Sequence, residues 1–406
     1  MTELRTLHLT DIHDEYEKYQ VIASYVAGKK SSNQAIDAVF ITGDFIEGDV
    51  ENRGKTANQI AQELKQLFES GALKSETEEF DALIEKHGKD GKVQVDSLEE
   101  SVKKRFEELN ARVHSAQTSV VQKVIANSYH KHAEALSKLE VSVFGILGNH
   151  DLNIGYEILK DITFLEKTNQ ATIKGKTGVD FILKGDLNTI EIPPFYGKAA
   201  TFLAECFIPY ESGYSLTELS KTQNTLQKIL SENPTDRLEK IKKGEAPQYS
   251  DEQLGKMEEQ LKEIQEFRPK VLEYNQTERQ RLGDKNEADI YLTHKLPSCK
   301  KADPKVVGPL SDVTTEYAAN AKAVYGGHFH DGQIGYKTIE DFLKQESTEK
   351  TTIDGVEVPV YYLDDKEPWE LNPGTNYFFV TEYDAEKKIE QVIIHEFYYE
   401  EAKEAA

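Results

Sequence analysis

Residues 141–151 read VSVFGILGNHD, a short apolar run that ends in glycine and three polar side chains. An apolar run of this length is typical of a strand that is buried on both faces in a layered α/β core. Four other runs have the same form, at 4–10, 38–42, 290–293 and 323–325. We therefore predict an α/β fold in which these segments are central strands.

Each predicted strand ends in a carboxylate, an imidazole or an amide. In chain order these groups are Asp11 and His13, Asp44, then Asn149, His150 and Asp151, then His294, and last His328 and His330. Because ligands gather outside the carboxyl ends of strands in α/β sheets, these side chains are expected to converge on one site. Residues two apart on an extended segment point the same way, so Asp11 and His13 can present two ligand atoms together.

The converging groups offer imidazole nitrogens, carboxylate oxygens and one amide oxygen. Such mixed donors suit Mn, Fe, Zn, Ni or Co better than Ca or Mg. They are too many for one tetrahedral ion, and they fit two ions that share a carboxylate. Gly43, Gly148 and Gly327 are expected to let the backbone turn sharply beside the ions.

Two long helical segments interrupt the series of strands, at 51–140 and 211–288. We call them the first and the second insertion. In the first insertion, apolar residues recur at steps of three or four from Leu98 to Val124, which predicts one long amphipathic helix. The insertions could form a cap that gates substrate, an oligomerisation or docking module, or helices that pack away from the site.

Smaller features give further expectations. A helix is predicted over 15–27 with Gly28 as its stop, and the long helix of the second insertion is expected to stop near Pro269. His130 and His132 lie among Lys and Glu residues in the first insertion. We expect both imidazoles to be solvated.

Taken in order, the strand-end motifs resemble the signature of the calcineurin-like metallophosphoesterase superfamily. The matching motifs are Asp11-x-His13, Gly43-Asp44, Gly148-Asn149-His150-Asp151, His294 and Gly327-His328-x-His330. The resemblance covers 1–50, 141–210 and 289–400 and leaves both insertions unaccounted for. It implies a two-sheet β-sandwich flanked by helices. The catalytic domain would then span 1–400, interrupted by the two insertions and followed by an acidic tail at 401–406.

The resemblance also implies a binuclear metal site. One metal would be held by Asp11, His13, Asp44 and His330. The other would be held by Asp44, Asn149, His294 and His328, with Asp44 bridging the two ions. His150 would lie close to the scissile phosphate without binding metal, and Asp151 would orient His150 through a ring nitrogen. The implied cofactors are two divalent transition-metal ions, Mn first, with Fe, Zn, Ni and Co as alternatives.

The activity that this resemblance implies is hydrolysis of a phosphate mono- or diester. A metal-bridging hydroxide would attack phosphorus, both ions would stabilise charge on the phosphoryl oxygens, and His150 would protonate the leaving oxygen. Two other functions stay open on the same motifs. One is a DNA exo- or endonuclease of the repair-nuclease branch, and the other is a non-catalytic scaffold or docking protein.

The net charge of −23 argues against a protein that binds polynucleotides or anionic lipid through a basic surface. The segment 331–406 alone carries 19 acidic and 7 basic residues, and only 8 of the 49 basic residues are Arg. This balance favours a small-molecule or phosphorylated substrate and disfavours nucleic acid and membrane as partners. Oligomerisation through the insertions stays open.

Cysteine content and hydropathy indicate the cellular setting. Cys206 and Cys299 are the only cysteines, which excludes a disulfide framework and a zinc site made of cysteines alone. No apolar run is long enough to span a membrane, and the first residues do not form a signal peptide. We therefore expect a cytoplasmic protein.

Overall fold

The structure is a computed structural model. It describes residues 2–30, 34–47, 55–69, 71, 73–87, 98–148, 150–152, 154–185, 216–232, 242–243, 249–297, 312–335, 337–341, 349–353, 356–361 and 369–397. Over these ranges the chain is an α/β protein with two mixed sheets, which confirms the predicted class. The pair of sheets is compatible with a two-sheet sandwich.

The strands form one sheet of eight and one sheet of seven. Sheet one contains β1 (Leu4–Leu9), β2 (Ala38–Thr42), β3 (Ser142–Ile146), β4 (Ile162–Phe164), β11 (Glu349–Ile353), β12 (Val356–Tyr361), β14 (Tyr377–Tyr383) and β15 (Ile389–Glu396). Its order is β11-β12-β15-β14-β1-β2-β3-β4. Strands β1 to β4 run parallel to one another, and β14 joins β1 antiparallel.

Sheet two holds the remaining described strands. These are β5 (Ala171–Lys174), β6 (Asp180–Gly185), β7 (Ile290–Lys295), β8 (Ala323–Gly327), β9 (Gln333–Ile334), β10 (Lys337–Thr338) and β13 (Trp369–Asn372). Its order is β10-β9-β13-β8-β7-β6-β5. Strands β13, β8, β7 and β6 run parallel to one another, whereas β9 joins β13 and β5 joins β6 antiparallel. All five central strands predicted from the apolar runs are therefore present.

The described residues include eight α-helices and a short 3-10 helix, Leu165–Lys167. The α-helices are α1 (Glu17–Lys30), α2 (Lys55–Glu69), α3 (Lys74–His87), α4 (Glu100–Leu136), α5 (Ile154–Ile158), α6 (Leu216–Ser231), α7 (Asp251–Leu282) and α8 (Asp312–Ala318). Helices α2, α3 and α4 belong to the first insertion, and α6 and α7 to the second. None of the described helices is both long enough and apolar enough to cross a membrane.

The hydrophobic residues are divided between the two faces of each sheet. In β1, Leu7 and Leu9 pack with residues of α1 and α4, whereas Leu4 packs with strands of sheet two. On the far side of sheet two, Tyr291 and Val324 pack against α8 and the end of α7. The layers therefore run helix, sheet, sheet, helix, which explains why these strands are apolar on both faces.

Part of the first insertion belongs to this core rather than to a separate unit. Ile60 of α2 and Val121, Val124 and Tyr129 of α4 are buried in the same cluster as β1 and β2. The two insertions also differ in how they reach the core. The α6–α7 pair has its own small cluster, and only the end of α7 joins sheet two.

Three expectations about the helices are wrong. Helix α1 continues through Gly28 to Lys30, because a glycine only weakens a helix whose apolar face is packed. Helix α7 runs through Pro269 to Leu282 and ends at Gly283, which has a φ of 68°. One proline removes a single backbone hydrogen bond, and the buried Val271 follows it closely. His132 is wholly buried, as described below.

Candidate metal centre

The loops after β1, β2 and β8 and the end of β7 meet at one edge of the two sheets. The backbone N–H groups of Asp11, His13 and Asp14 donate to the carbonyl oxygens of Gly43, Asp44 and Phe45 in turn. From sheet two, Nδ1 of His294 lies 2.6 Å from the Thr42 carbonyl oxygen. The predicted convergence of strand ends is therefore present in the structure.

One group of donors draws on three strand ends. Asp11, His13, Asp44 and His330 each present a ligand atom, and these atoms lie within 4.8 Å of one another. His13 Nε2 is 3.8 Å from Asp11 Oδ1 and 3.8 Å from Asp44 Oδ2. His330 Nε2 is 3.7 Å from Asp11 Oδ1 and 3.1 Å from His13 Nε2. The four side chains could hold a metal ion.

A second group shares one member with the first. Asp44, His294 and His328 also present ligand atoms within 4.8 Å of one another. His294 Nε2 lies 3.2 Å from Asp44 Oδ2, and the His294 and His328 rings meet edge to face with centroids 5.3 Å apart. Asn149, predicted as a ligand of this ion, lies outside the described residues.

Asp44 has an environment in which its carboxylate could bind a cation. Its side chain is buried, and Oδ1 accepts a hydrogen bond from the His150 backbone N–H at 2.9 Å. Oδ2 accepts no hydrogen bond, although it faces imidazole nitrogens of both donor groups. A buried carboxylate oxygen without a donor is costly, and a cation held by the surrounding imidazoles would satisfy it. The donor set therefore fits metal binding.

Backbone strain is concentrated at the same residues. Asp11, His13, Asp44 and His328 have φ values of 48°, 48°, 52° and 67°. This left-handed region costs a non-glycine residue of order 1 kcal/mol or more, and such residues cluster at functional sites. The strain is maintained by the hydrogen bonds between the loops that carry Asp11 and Asp44.

Two of the three predicted glycines are required for close approach rather than for a turn. A Cβ on Gly148 would overlap the Asp44 carboxylate, and one on Gly327 would overlap Thr10 and crowd Asp11. Neither residue has a positive φ, whereas Gly43 does, at 98°. The bare backbone at Gly148 lets two loops of sheet one approach each other, and that at Gly327 lets sheet two approach the loop after β1.

The charges of the site are strongly coupled. Burial opposes ionisation of Asp44, but the imidazoles of His294 and His150 hold the pKa of that carboxyl well below its usual range. Burial opposes protonation of His150, whereas the carboxylates of Asp44 and Glu47 raise the pKa of His150 to about 9. Burial lowers the pKa of His13 well below that of a free imidazole.

Glu47 is a site residue that the sequence analysis missed. Its carboxylate lies between two imidazoles, with Oε1 at 3.0 Å from His150 Nδ1 and Oε2 at 3.2 Å from His13 Nδ1. Its side chain is only 7% exposed. The sequence does place Glu47 only three residues after Asp44, on the same loop, and this closeness could have identified it.

Asp151 does not have the contact predicted for it. Its oxygens accept hydrogen bonds from the backbone N–H groups of Phe45 and Gly148, at 3.0 and 2.8 Å, and from the Tyr129 hydroxyl at 3.1 Å. Asp151 thus joins the loop after β2 to the loop after β3, while Glu47 lies against the His150 ring. The Asp151 carboxylate binds buried N–H groups rather than the His150 ring, because these N–H groups would otherwise lack partners.

Exposure defines the open side of the centre. The side chain of His330 is 47% exposed and that of His150 is 15% exposed, whereas Asp11 and His294 are inaccessible to solvent. A ligand would therefore approach past His330 and His150. The two residues lie on loops from different sheets, so the opening is at the seam between the sheets.

Comparison with known proteins adds little to this geometry. No protein-family model and no curated protein match the chain. One solved structure shares 10% identity over 98% of this chain and 100% of its own, with a TM-score of 0.37. The crystal structure of TT1561 of Thermus thermophilus shares 9% identity over 96% of this chain and 98% of its own, with a TM-score of 0.31. At these scores, any functional proposal depends on the chain's own residues.

Proposed function

We propose that the protein is a metal-dependent phosphoesterase that hydrolyses a phosphate mono- or diester. The observation that carries the proposal is the position of Asp44. This one carboxylate belongs to both donor groups described above, though not to a third possible group of His13, Glu47 and His150. The backbone N–H of His150 donates to Oδ1 of Asp44. Two cations that share a carboxylate, with an imidazole beside them, are an arrangement that can support phosphoryl transfer to water.

The residues proposed to hold the metals follow from the two donor groups. Asp11, His13, Asp44 and His330 would hold one divalent transition-metal ion, and Asp44, Asn149, His294 and His328 the other. Mn is the first candidate, with Fe, Zn, Ni and Co as alternatives, because the donors mix nitrogen and oxygen. When bound, the ions would supply an activated water and positive charge for the phosphoryl oxygens.

His150 is the residue proposed to protonate the leaving oxygen. It lies beside Asp44 and is partly exposed at the opening, where the ester would enter. Glu47 lies against Nδ1 of this ring, which leaves Nε2 as the atom that can give a proton. The carboxylate also stabilises the charged imidazolium, as a buried acid does beside a catalytic histidine.

Glu47 has a second contact that supports the same reaction. It lies against Nδ1 of His13, whose Nε2 faces the first donor group. A carboxylate on the outer nitrogen of a ligating imidazole sets the tautomer and the direction of that ring. One side chain would therefore orient a metal ligand and the proton donor together.

The net charge of −23 favours a small phosphorylated substrate over a nucleic acid.

The experiment is a hydrolysis panel with manganese added to the purified protein. The panel contains an aryl phosphate, a bis-aryl phosphate, cyclic nucleotides, ADP-sugars and single-stranded DNA, and elemental analysis gives the metal content before and after dialysis against chelator. We expect metal-dependent turnover of at least one ester, lost in Asp44→Asn. Preferred cleavage of DNA would favour the nuclease. A metal-loaded protein that cleaves no member would contradict the proposal.

A further inference from the structure

One turn of helix α4 contacts the loops that carry the candidate metal centre. Ser128 donates to Asp14 in the loop after β1, Tyr129 donates to Asp151 in the loop after β3, and the His132 ring packs on Phe45 in the loop after β2. All three α4 side chains are buried. Helix α4 belongs to the first insertion, so this insertion contacts the loops after β1, β2 and β3.

Asp14 is the point where the insertion is attached most firmly. Its Oδ1 accepts hydrogen bonds from Ser128 Oγ at 2.5 Å and from Thr56 Oγ1 at 3.0 Å. Its Oδ2 accepts from the Thr56 backbone N–H at 3.1 Å, which satisfies a free N–H at the start of α2. Two helices of the insertion thus bind one buried carboxylate, and Tyr16 adds a further donor at 3.1 Å.

The same carboxylate also binds the loop that carries Glu47. The Glu47 backbone N–H donates to Asp14 Oδ2 at 3.1 Å, and the Asp14 backbone N–H donates to the Phe45 carbonyl oxygen at 2.9 Å. The Glu47 side chain then lies 3.0 Å from His150 Nδ1. A continuous chain of contacts therefore runs from Thr56 and Ser128 through Asp14 and Glu47 to His150.

We propose that the first insertion positions the proton donor of the phosphoesterase: Thr56 and Ser128 hold Asp14, Asp14 holds Glu47, and Glu47 holds the His150 ring. This inference rests on the proposed function. Thr56 and Ser128 are positioning residues, because neither touches the metal donors or the opening. The insertion would then act from beneath the site rather than as a cap above it.

The size of the effect follows from how sharply proton transfer depends on geometry. A displacement of about 1 Å can cost about 100-fold in rate, and general acid catalysis contributes about 100- to 10,000-fold. A hydroxyl removed three contacts away from His150 should displace the ring by less than that. We therefore expect about a 10-fold fall in kcat where protonation of the leaving group limits the rate.

Leaving-group dependence separates this role from simple loss of folded protein. An aryl phosphate with a strongly acidic phenol needs no proton, whereas one with a weakly acidic phenol does. Thr56→Val and Ser128→Ala should lower kcat about 10-fold for the weakly acidic phenol, and less than about 2-fold for the strongly acidic one. Thr56→Ser keeps the hydroxyl, and Ser119→Ala changes an exposed serine of the same helix, so both should match the unchanged protein.

A second measurement needs neither metal nor turnover. Histidine-labelled protein, stripped of metal, gives an imidazole NMR cross-peak for His150 that is assigned by its loss in His150→Asn. The cross-peak should shift in Thr56→Val and Ser128→Ala and stay in place in Thr56→Ser and Ser119→Ala. This readout reports the position of the ring and is insensitive to the amount of active enzyme.

The outcomes distinguish this inference from the proposed function. An unmoved His150 cross-peak in both test variants, or equal losses of kcat on the two phenyl phosphates, would overturn the inference while leaving the phosphoesterase intact. If the unchanged protein hydrolyses no ester, the proposed function is overturned. The NMR comparison would then still decide whether the insertion positions His150.

Discussion

The hydroxyl of Tyr129 donates a hydrogen bond to Oδ1 of Asp151 at 3.1 Å. The same hydroxyl accepts a hydrogen bond from the Leu152 backbone N–H at 2.8 Å, so one side chain of α4 serves both a buried carboxylate and a buried amide. Asp151 in turn binds the backbone of the loops after β2 and β3. The first insertion is therefore part of the hydrogen-bond network beneath the candidate metal centre.

Replacing Tyr129 by phenylalanine should destabilise the fold. The change leaves the ring in place but removes a donor to a buried carboxylate and an acceptor for a buried N–H, at a cost of about 1–3 kcal/mol. Urea unfolding at neutral pH measures the loss. His130→Ala, at an exposed position next along α4, should change the free energy of unfolding by less than about 0.5 kcal/mol. Equal stabilities for the two variants would contradict the role given to the hydroxyl.

Replacing Asp44 by asparagine should weaken binding at both metal positions at once. The carboxylate belongs to both donor groups, and Oδ2 faces imidazoles from each of them. An amide of similar size lacks the negative charge, so metal affinity should fall by at least about 10-fold. Elemental analysis after dialysis against a metal buffer measures the content per chain. Loss confined to half of the bound metal would show that Asp44 serves one ion only.

Replacing His150 by alanine should separate chemistry from metal binding. The side chain belongs to neither proposed ligand set, so the metal content should match that of the unchanged protein. Turnover of an ester with a poor leaving group should fall by about 100- to 10,000-fold, the usual contribution of general acid catalysis. His130→Ala is the matched control, because it removes a solvent-exposed imidazole. Metal lost together with turnover would make His150 a ligand instead.

The central strands and the metal donors could be read from the sequence because both signals are local. An apolar run such as 38–42 forms a strand that is buried on both faces. The polar residues that follow the run therefore lie where the carboxyl ends of the strands meet. Asp11 follows β1, Asp44 follows β2 and His294 lies at the end of β7, so finding the strands also locates these donors. Strands β4 and β5 lack this signal because they have only three and four residues and include polar ones. Strand β6 lacks it because its apolar run, Phe181–Leu183, is flanked by Asp180 and Lys184.

The contacts around these donors could not be read in the same way, because they are made by distant parts of the chain. His132 is surrounded by Lys and Glu in the sequence, yet the helix turns it inward, where Nδ1 lies 3.0 Å from the Tyr19 hydroxyl. Asp151 precedes a helix and faces backbone N–H groups of another loop. No local pattern reports which of Glu47 and Asp151 reaches the imidazole of His150.

Shortening the outer part of the first insertion should leave the core intact. Ile60 and Val121 are buried with the strands, so deletion of the whole segment 51–140 should unfold the protein. Helix α3 instead pairs with the first turns of α4, through ion pairs such as Arg105 with Glu79 at 2.6 Å. Replacing 70–111 by a short glycine-rich linker also removes the buried Leu73 and Leu109, so the free energy of unfolding should fall by about 2–5 kcal/mol while the protein still folds.

The same shortened protein tests whether the insertion is also a cap. Hydrolysis of a small aryl phosphate should keep its kcat and KM, since the contacts of Thr56 and Ser128 are retained. A cap would show as a changed ratio of rates between a bulky and a small ester. A fall in kcat for both esters, with the metal content unchanged, would mean that the outer helices also support the site.

Glu166 provides a test of how burial controls stability as pH changes. Its Oε1 accepts hydrogen bonds from the Leu147 backbone N–H at 2.6 Å and the Tyr156 hydroxyl at 2.9 Å, while Oε2 has no donor. Burial raises the pKa of this carboxyl from 4.5 to about 8 in the folded protein. The residue lies behind the end of β3 and takes no part in the proposed chemistry.

The contribution of Glu166 to the stability of the folded protein should therefore fall as the pH rises from about 5 to about 8. Over this range the folded state keeps the Glu166 proton that the unfolded state has already released, so each pH unit costs about 1 kcal/mol. Glu166→Gln cannot ionise, and its free energy of unfolding should fall less steeply over the same range. Urea unfolding in chelator at several pH values compares the two slopes, and groups that titrate in both proteins cancel. Parallel curves would mean that Glu166 ionises in the folded state near its ordinary pKa.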